Sequence, residues 1–514
     1  MKLVTKRRNF LKGLAGLSAF AVGGRTCPFG RQKIRLAVVG VMGKGYSDWL
    51  PMLQSGLVEI VAFCDCDYGM RERAQQQLAN DGVDFDMFRI PFYTDYRRML
   101  DDAGMLGVDA MTVSTPDHTH APVAIRAMKQ GIHVYVQKPL VRTLWELDYF
   151  ERTARENGVV TQMGNQGSAL DMLRRGAEVI QAGVIGEVGE AHVWTNRPVW
   201  PQGQNVAAWV KNHPKGDPLR KGLNWDAWLN TAAERPFLDK YPDDADVYDP
   251  WNLGKNVYHT FTWRGFHDFG CGAFGDMACH TMNLAFRGLE LADVTSAECT
   301  TIESKNDIAY PLKSVVRLVY AARESKARPG VRLPEVRLTW YDGGSKPDPE
   351  LMRKWTDGNK ENIPDTGCFL VGSKGALLMP DSYGAAPALA LADDKKFTFL
   401  PDHEAVKTFP RVIPYRAGPM GTGDKASVQM KGFALGHYLE FLDAIRGEGK
   451  LYEATHSRCF SDIEYSIPQM EGILVGCVAQ QVAGKLKWCS CKQSFDNQAA
   501  NALVKPFIRK GWEF

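Results

Sequence analysis

Three side chains of this sequence have the types and spacing to move a proton to or from a carbinol. Val134-Tyr-Val-Gln-Lys-Pro-Leu140 is a short apolar run that ends abruptly at Lys138, with a proline behind it. Far downstream, Gly275-Asp-Met-Ala-Cys-His280 sets Asp276 and His280 four residues apart, hence on one face of a helix. Oxidising a secondary carbinol takes a hydride from carbon and a proton from oxygen. A neutral His280, oriented by Asp276 or another acid, can accept that proton near neutral pH. The Lys138 ammonium, directed at the oxygen, would stabilise developing alkoxide charge. The hydride needs an acceptor, and the upstream chain is arranged to hold one.

Lys33-Ile-Arg-Leu-Ala-Val-Val39 reads as a buried parallel strand, running into Gly40-Val-Met-Gly-Lys-Gly45 and a helix through Leu53. Glu59 to Cys64 reads as a second strand ending at Asp65-Cys-Asp67, with a helix from Arg71 to Asn80. A third unit closes with Ala110 to Pro116, a helix from Ala121 to Gln130 and a strand from His133 to Gln137. Such alternation means βαβ units and a parallel sheet with right-handed crossovers. In that frame the glycine loop, Lys44 included, sits where a dinucleotide pyrophosphate meets a helix N-terminus. Gly40 makes the turn and Gly45 lets helix and strand pack closely. Met42 occupies the middle position of the G-x-G-x-x-G pattern, and Gly43 beside it takes over the close approach. Asp65, at the end of the second strand, can bind ribose hydroxyls and would repel a 2′-phosphate, which favours NAD over NADP.

Thr115-Pro-Asp-His-Thr-His120 and Gln137-Lys-Pro139 carry a resemblance, continued by Thr161-Gln-Met-Gly-Asn-Gln166, Trp194-Thr-Asn-Arg-Pro198, Trp225-Asp-Ala-Trp228, Trp263-Arg-Gly265, Gly275-Asp-Met277 and Arg509-Lys-Gly-Trp512. In this order they resemble the Gfo/Idh/MocA oxidoreductases, the glucose–fructose oxidoreductase and inositol dehydrogenase family, and in particular its long, exported Bacteroidetes-type branch. The resemblance implies an α/β chain. A Rossmann domain with a parallel sheet would occupy 33–155. An α/β domain with a large open, mostly antiparallel sheet would occupy 156–514, supplying a substrate site and an interface for a homodimer or homotetramer. Val188 to Asn196, Val294 to Glu303, Ser314 to Ala321, Glu335 to Tyr341 and Cys368 to Gly372 read as its strands. The resemblance further implies that Lys138 contacts substrate and nicotinamide, and that His280 of the Asp276/His280 pair is the base. Thr115, Pro116, Asp117 and His118 would pack against the nicotinamide ribose side. Gln137 departs from the family glutamate, which alters the tuning of Lys138.

Asn165, Gln166, Arg197, Trp200, Trp263, Arg264 and His267 can form a carbohydrate cleft, because aromatic faces stack on sugar rings while amides and guanidinium read hydroxyls. His267, Asp268, Cys279 and His280 lack convincing metal-ligand spacing, so no metal is expected. The reading is an NAD-dependent oxidoreductase acting on a secondary hydroxyl of a sugar, polyol or glycoside, with its cofactor held tightly and recycled in place. Two other functions fit the same residues. One is redox-neutral, NAD-dependent glycoside cleavage through transient C3 oxidation and β-elimination. The other is a non-catalytic sugar-binding protein, with Met42 and Gln137 as its support.

Composition narrows the partners. Among 514 residues the net charge is +3, with both signs interspersed, which points away from nucleic acid and anionic membrane surfaces. The eleven cysteines are scattered, and Cys64-x-Cys66 and Cys489-x-Cys491 lack zinc-site spacing. Residues 1–32 stand apart: Lys6-Arg-Arg-Asn-Phe-Leu-Lys12 precedes a short apolar run, Gly13 to Val22, too short to span a bilayer. This resembles a twin-arginine signal with a cleavage site at Ala19-Phe-Ala21, implying a periplasmic enzyme exported folded. Gly24-Arg-Thr ahead of Cys27 is a poor lipobox and argues against a lipid anchor.

Overall fold

Near-continuous apolar runs in the first third of the chain become a six-stranded parallel sheet in the computed structural model. That structure describes residues 33–253, 255–356, 363–414, 426–449 and 459–514, of which 426–434 are described by backbone alone. The signal-like segment 1–32 and Cys27 lie outside the described residues. The strands are β1 (Ile34–Val39), β2 (Val58–Cys64), β3 (Phe92–Tyr93), β4 (Ala110–Val113), β5 (His133–Val136) and β6 (Thr161–Met163), in the order β3-β2-β1-β4-β5-β6. Helices α1 (Lys44–Gln54), α2 (Gly69–Asn80), α3 (Asp117–Met128) and α4 (Leu144–Asn157) connect them. The chain leaves β1 for β2 on one side and returns to β4 on the other, so a crevice opens at the carboxyl ends of β1 and β4.

Two glycines make that crevice possible. Gly40 has φ +86°, and a Cβ there would lie 2.3 Å from the Ser114 carbonyl oxygen. A Cβ on Gly45 would lie 1.9 Å from the Gly40 carbonyl oxygen. Both obstacles are backbone and cannot rotate away. Helix α3 begins at Asp117, four residues ahead of the expected Ala121, and carries Pro122 in its second turn. A proline ordinarily sits in the first turn because it lacks an N–H, which draws a sequence-based start downstream.

Helix α5 (Asp171–Gln181) leads into a ten-stranded sheet. Its centre holds the five strands expected of it, with small shifts at the ends: β7 (Val188–Trp194), β8 (Val294–Glu303), β9 (Lys313–Tyr320), β10 (Val336–Tyr341) and β11 (Gly367–Gly372). The flanks are β12 (Gly375–Met379), β13 (Ala388–Leu391), β14 (Thr398–Phe399), β15 (Lys485–Cys489) and β16 (Ser494–Phe495). The order is β14-β13-β12-β11-β7-β10-β9-β8-β15-β16, antiparallel apart from the β7–β10 pair. Helix α6 (Gly272–Thr281) links the halves: Phe274 stacks on Trp340 of β10 at 4.6 Å, while Asp276 reaches Lys138, two residues past the end of β5 and just ahead of Pro139.

The first sheet is not finished by residue 155. Strand β6 is its last member, and helix α7 (Ala426–Arg446) returns from the far end of the sequence to cover it. Tyr438, Phe441 and Leu442 share one buried cluster with Trp49, Phe63 and Tyr135. The Gln162 amide donates to the His437 carbonyl oxygen at 2.7 Å, and His437 Nε2 pairs with the Met163 oxygen at 3.0 Å. A last long helix, α8 (Ile463–Gln481), packs against α6 and β8. Among the described residues no helix is long and apolar enough to cross a membrane.

Candidate active site

A cavity of about 680 Å³ runs from the glycine loop, past the carboxyl ends of the parallel strands, to helix α6. At its nucleotide end, Gly43 has φ +61° and nothing within 4 Å of where a Cβ would stand. The first turn of α1 has no side-chain cap, so no side chain competes with an anion at this helix N-terminus, although the Gly45 N–H already donates to the Met42 oxygen at 3.1 Å. Gly40, Met42, Gly43, Lys44 and Asp65 line this end, whereas Gly45 serves the packing beneath. The Asp65 carboxylate accepts from the Val41 N–H at 3.0 Å and the Asp67 N–H at 3.1 Å, tying the loop to the end of β2. Burial lifts its carboxyl to about 6, against the pull of those two hydrogen bonds. Met42 packs against the apolar cluster under α1, which explains a side chain where the usual pattern has glycine.

At the other end a charged cluster closes the cavity. Lys138 Nζ donates to Asp276 Oδ1 at 2.8 Å and to the Asp276 carbonyl oxygen at 2.9 Å. Arg264 Nε donates to the same Oδ1 at 3.0 Å. Burial alone would raise the Asp276 carboxyl, but the Lys138 and Arg264 charges outweigh it and hold the group well below the usual carboxylate range. His280 is one helical turn on and lines the cavity. Its Nδ1 is buried with no hydrogen-bond partner, and its ring meets Tyr383 edge-on at 4.8 Å. Burial, then the Lys138 charge, pushes the imidazole well below its ordinary value, so it stands neutral. The expected orientation of His280 by Asp276 is therefore not what the structure has: the carboxylate turns to the two cations and fixes Lys138 instead.

Thr115 and Pro116 line the cavity, while Asp117 and His118 sit behind it. Burial raises Asp117 to about 7, with Arg264 opposing. His118 Nε2 pairs with the Trp228 carbonyl oxygen at 2.9 Å, an anchor between α3 and the segment above it. Of the expected sugar-binding residues, Gln166, Arg197, Trp263 and Arg264 line the cavity. Asn165 is buried beside it, its amide 3.4 Å from the Cys279 oxygen. Trp200 is fully buried with its indole N–H on Gln202, and His267 packs on Tyr310 at 4.3 Å, so neither reaches the cavity. Sequence reading passed over Tyr383, Trp251, Phe261 and Tyr96, which do line it. Tyr383 is set by Asp381, whose carboxylate accepts from the backbone N–H groups of residues 383 to 386; the sequence signal there reads as a turn, not a site.

The sequence profile described as an oxidoreductase family with an NAD-binding Rossmann fold matches residues 34–165, the stretch that builds this sheet and loop. A glycosyl hydrolase family 109 protein of Stenotrophomonas maltophilia is 30% identical over 321 residues, 59% of this chain and 67% of that relative. The chain belongs to the Gfo/Idh/MocA oxidoreductase family. This Gfo/Idh/MocA chain is also 31% identical over 108 residues to a 2,7-anhydro-N-acetylneuraminate hydratase of Mediterraneibacter gnavus, 21% of the chain and 28% of that enzyme's length. Other family 109 proteins match over 33% to 34% of their length. The fold is shared with an inositol dehydrogenase homologue of Azotobacter vinelandii solved with NADH and myo-inositol, at TM-score 0.54 and 15% identity over 89% of this chain and 98% of that one.

Proposed function

We propose that this Gfo/Idh/MocA protein is an NAD-dependent enzyme acting on a secondary hydroxyl of a sugar or glycoside. The observation that carries the reading is the meeting, in one cavity, of an uncapped glycine-loop helix N-terminus with the Lys138–Asp276–Arg264 cluster and the neutral His280. The glycine cradle, too tight at Gly40 for any side chain yet open at Gly43, fits a dinucleotide. Bound there, NAD supplies a hydride acceptor. His280, kept neutral by burial, takes the hydroxyl proton at its imidazole. Lys138, held by Asp276, directs its ammonium at the oxygen. Arg197 and Trp263 offer a guanidinium and an aromatic wall to the rest of the ring. Asp65 favours NAD over NADP for want of room for a 2′-phosphate charge beside it.

The same geometry supports a captive cofactor. The segment above the cleft is hydrogen-bonded onto the end of β2: Asn224 N–H donates to the Cys66 oxygen at 2.7 Å and Tyr68 N–H to the Gly222 oxygen at 3.0 Å. Ala227, Trp228, Asn230 and His259 thereby cover the nucleotide side of the cavity. A captive cofactor suits a second reading, favoured by the family 109 relatives, in which the hydride returns to the sugar after elimination of an aglycone. Export to the periplasm by the twin-arginine-like segment would make such retention necessary, and we propose it on the sequence alone.

The test is to denature the purified protein and identify released nucleotide, then turn the intact enzyme over with a panel of sugars and glycosides. Stoichiometric NAD(H) with net NADH formation is the expected result; aglycone release without net NADH selects the second reading. Protein that carries no nucleotide and binds none when it is added overturns both.

A further inference from the structure

We infer that Asp48, a residue of α1 outside the cavity, is a positioning residue for the catalytic wall in front of it. Its side chain is fully buried, and a buried carboxylate is costly unless every oxygen is bonded. Here the donors come from five places in the chain. Oδ1 accepts from Lys44 Nζ at 2.7 Å and the Tyr438 hydroxyl at 2.6 Å, with the Gln166 amide at 3.4 Å. Oδ2 accepts from the Ser114 hydroxyl and the Gln137 amide, both at 2.8 Å.

Four of these donors, Lys44, Ser114, Gln137 and Gln166, line the cavity, while Asp48 and Tyr438 stand behind it. One carboxylate thus sets the loop lysine, the ends of β4 and β5 and the turn after β6 relative to one another. Gln137 is the residue before Lys138, and its own Oε1 faces the Lys138 backbone N–H at 3.4 Å. Gly164 leaves the space for this arrangement, since a Cβ there would lie 2.5 Å from Gln137 Nε2. If Asp48 served the fold alone, an apolar group of similar size would do as well. A charge-assisted set of donors instead fixes directions, which is what a lysine aimed at a reacting oxygen requires.

The inference rests on the oxidoreductase reading, and its test separates the two. NADH affinity is measured by fluorescence titration, and hydride transfer with whichever glycoside of the panel the wild type oxidises. Asp48→Asn turns an amide N–H₂ toward a donor and is expected to slow hydride transfer roughly 10- to 100-fold. Its NADH affinity should stay within about threefold of wild type, a split that misfolding would not give. Gln137→Glu puts an acceptor where Asp48 needs a donor and should slow hydride transfer with the same split. The double variant D48N/Q137E restores one donor facing one acceptor and should return to within about threefold of wild type. Should D48N fail to fold, Gln137→Met removes the same bond with Asp48 in place and should show the same split. Wild-type rates in D48N or Q137M, or no rescue in a folded double variant, overturn the role of Asp48. A wild type that carries no nucleotide and binds no added NADH overturns the functional reading beneath it.

Discussion

At the scale of single residues, the site is a balance of charges around one lysine. Replacing Lys138 by Met keeps the volume and removes the ammonium. Turnover should fall about 10²- to 10³-fold, with bound nucleotide retained, as read by steady-state kinetics and nucleotide release. The pH profile carries a second expectation. Burial and the Lys138 charge both disfavour the protonated His280, so the acid limb of kcat/KM in the wild type lies below pH 6.5. In Lys138→Met one of those two causes is gone, and the acid limb should move to higher pH; a limb that stays put would remove His280 as the base. The places of Lys138 and His280 on one cavity wall were legible because each is marked locally, one by a strand end and one by helical spacing. The bond between Lys138 and Asp276 was not, since 138 residues separate them. Nor was the burial of Trp200, whose indole N–H is satisfied by Gln202 inside the protein.

At the scale of elements, the first βα unit depends on two backbone approaches. Gly45→Ala would drive a methyl into the Gly40 carbonyl and should cost about 3 kcal/mol or more. Gly43→Ala meets open space and carries only the strain of its φ +61°, ψ −119° backbone, about 1–3 kcal/mol. Thermal melts of the two variants compare them directly, and equal losses of Tm would contradict the close packing of α1 on β1. The core strands of the first sheet were readable from their apolar runs, and the central strands of the second were expected where the family resemblance puts such a sheet. Strands β12 and β13 were not, because Gly375-Ala-Leu-Leu-Met379 and Ala388-Leu-Ala-Leu391 hold no polar residue and so show no alternation of polar with apolar. They are extended because each pairs with a neighbour toward the sheet's edge, which is a tertiary cause.

At the scale of the whole molecule, the two halves are interleaved rather than joined end to end. A fragment of residues 33–165, the stretch that carries the family profile, lacks Tyr438, Phe441 and Leu442 from the cluster around Trp49. It should show no cooperative thermal transition by circular dichroism and no NADH binding, whereas the full chain should show both; a fragment that melts cooperatively would refute the interleaving. No local pattern announces that α7 belongs to the first sheet, so this feature could only come from the structure.

The contact between Lys44 and Tyr438 spans 394 residues. During synthesis at about 5–20 residues per second, the interval between the emergence of these two partners is roughly 20–80 s. For that time the nascent β1–α1 unit displays an apolar face with nothing to cover it, and Asp48 lacks its tyrosine. The ribosome therefore delivers a nucleotide half that stays open until the last quarter of the chain arrives, and whatever shields it meanwhile sets the yield of active protein.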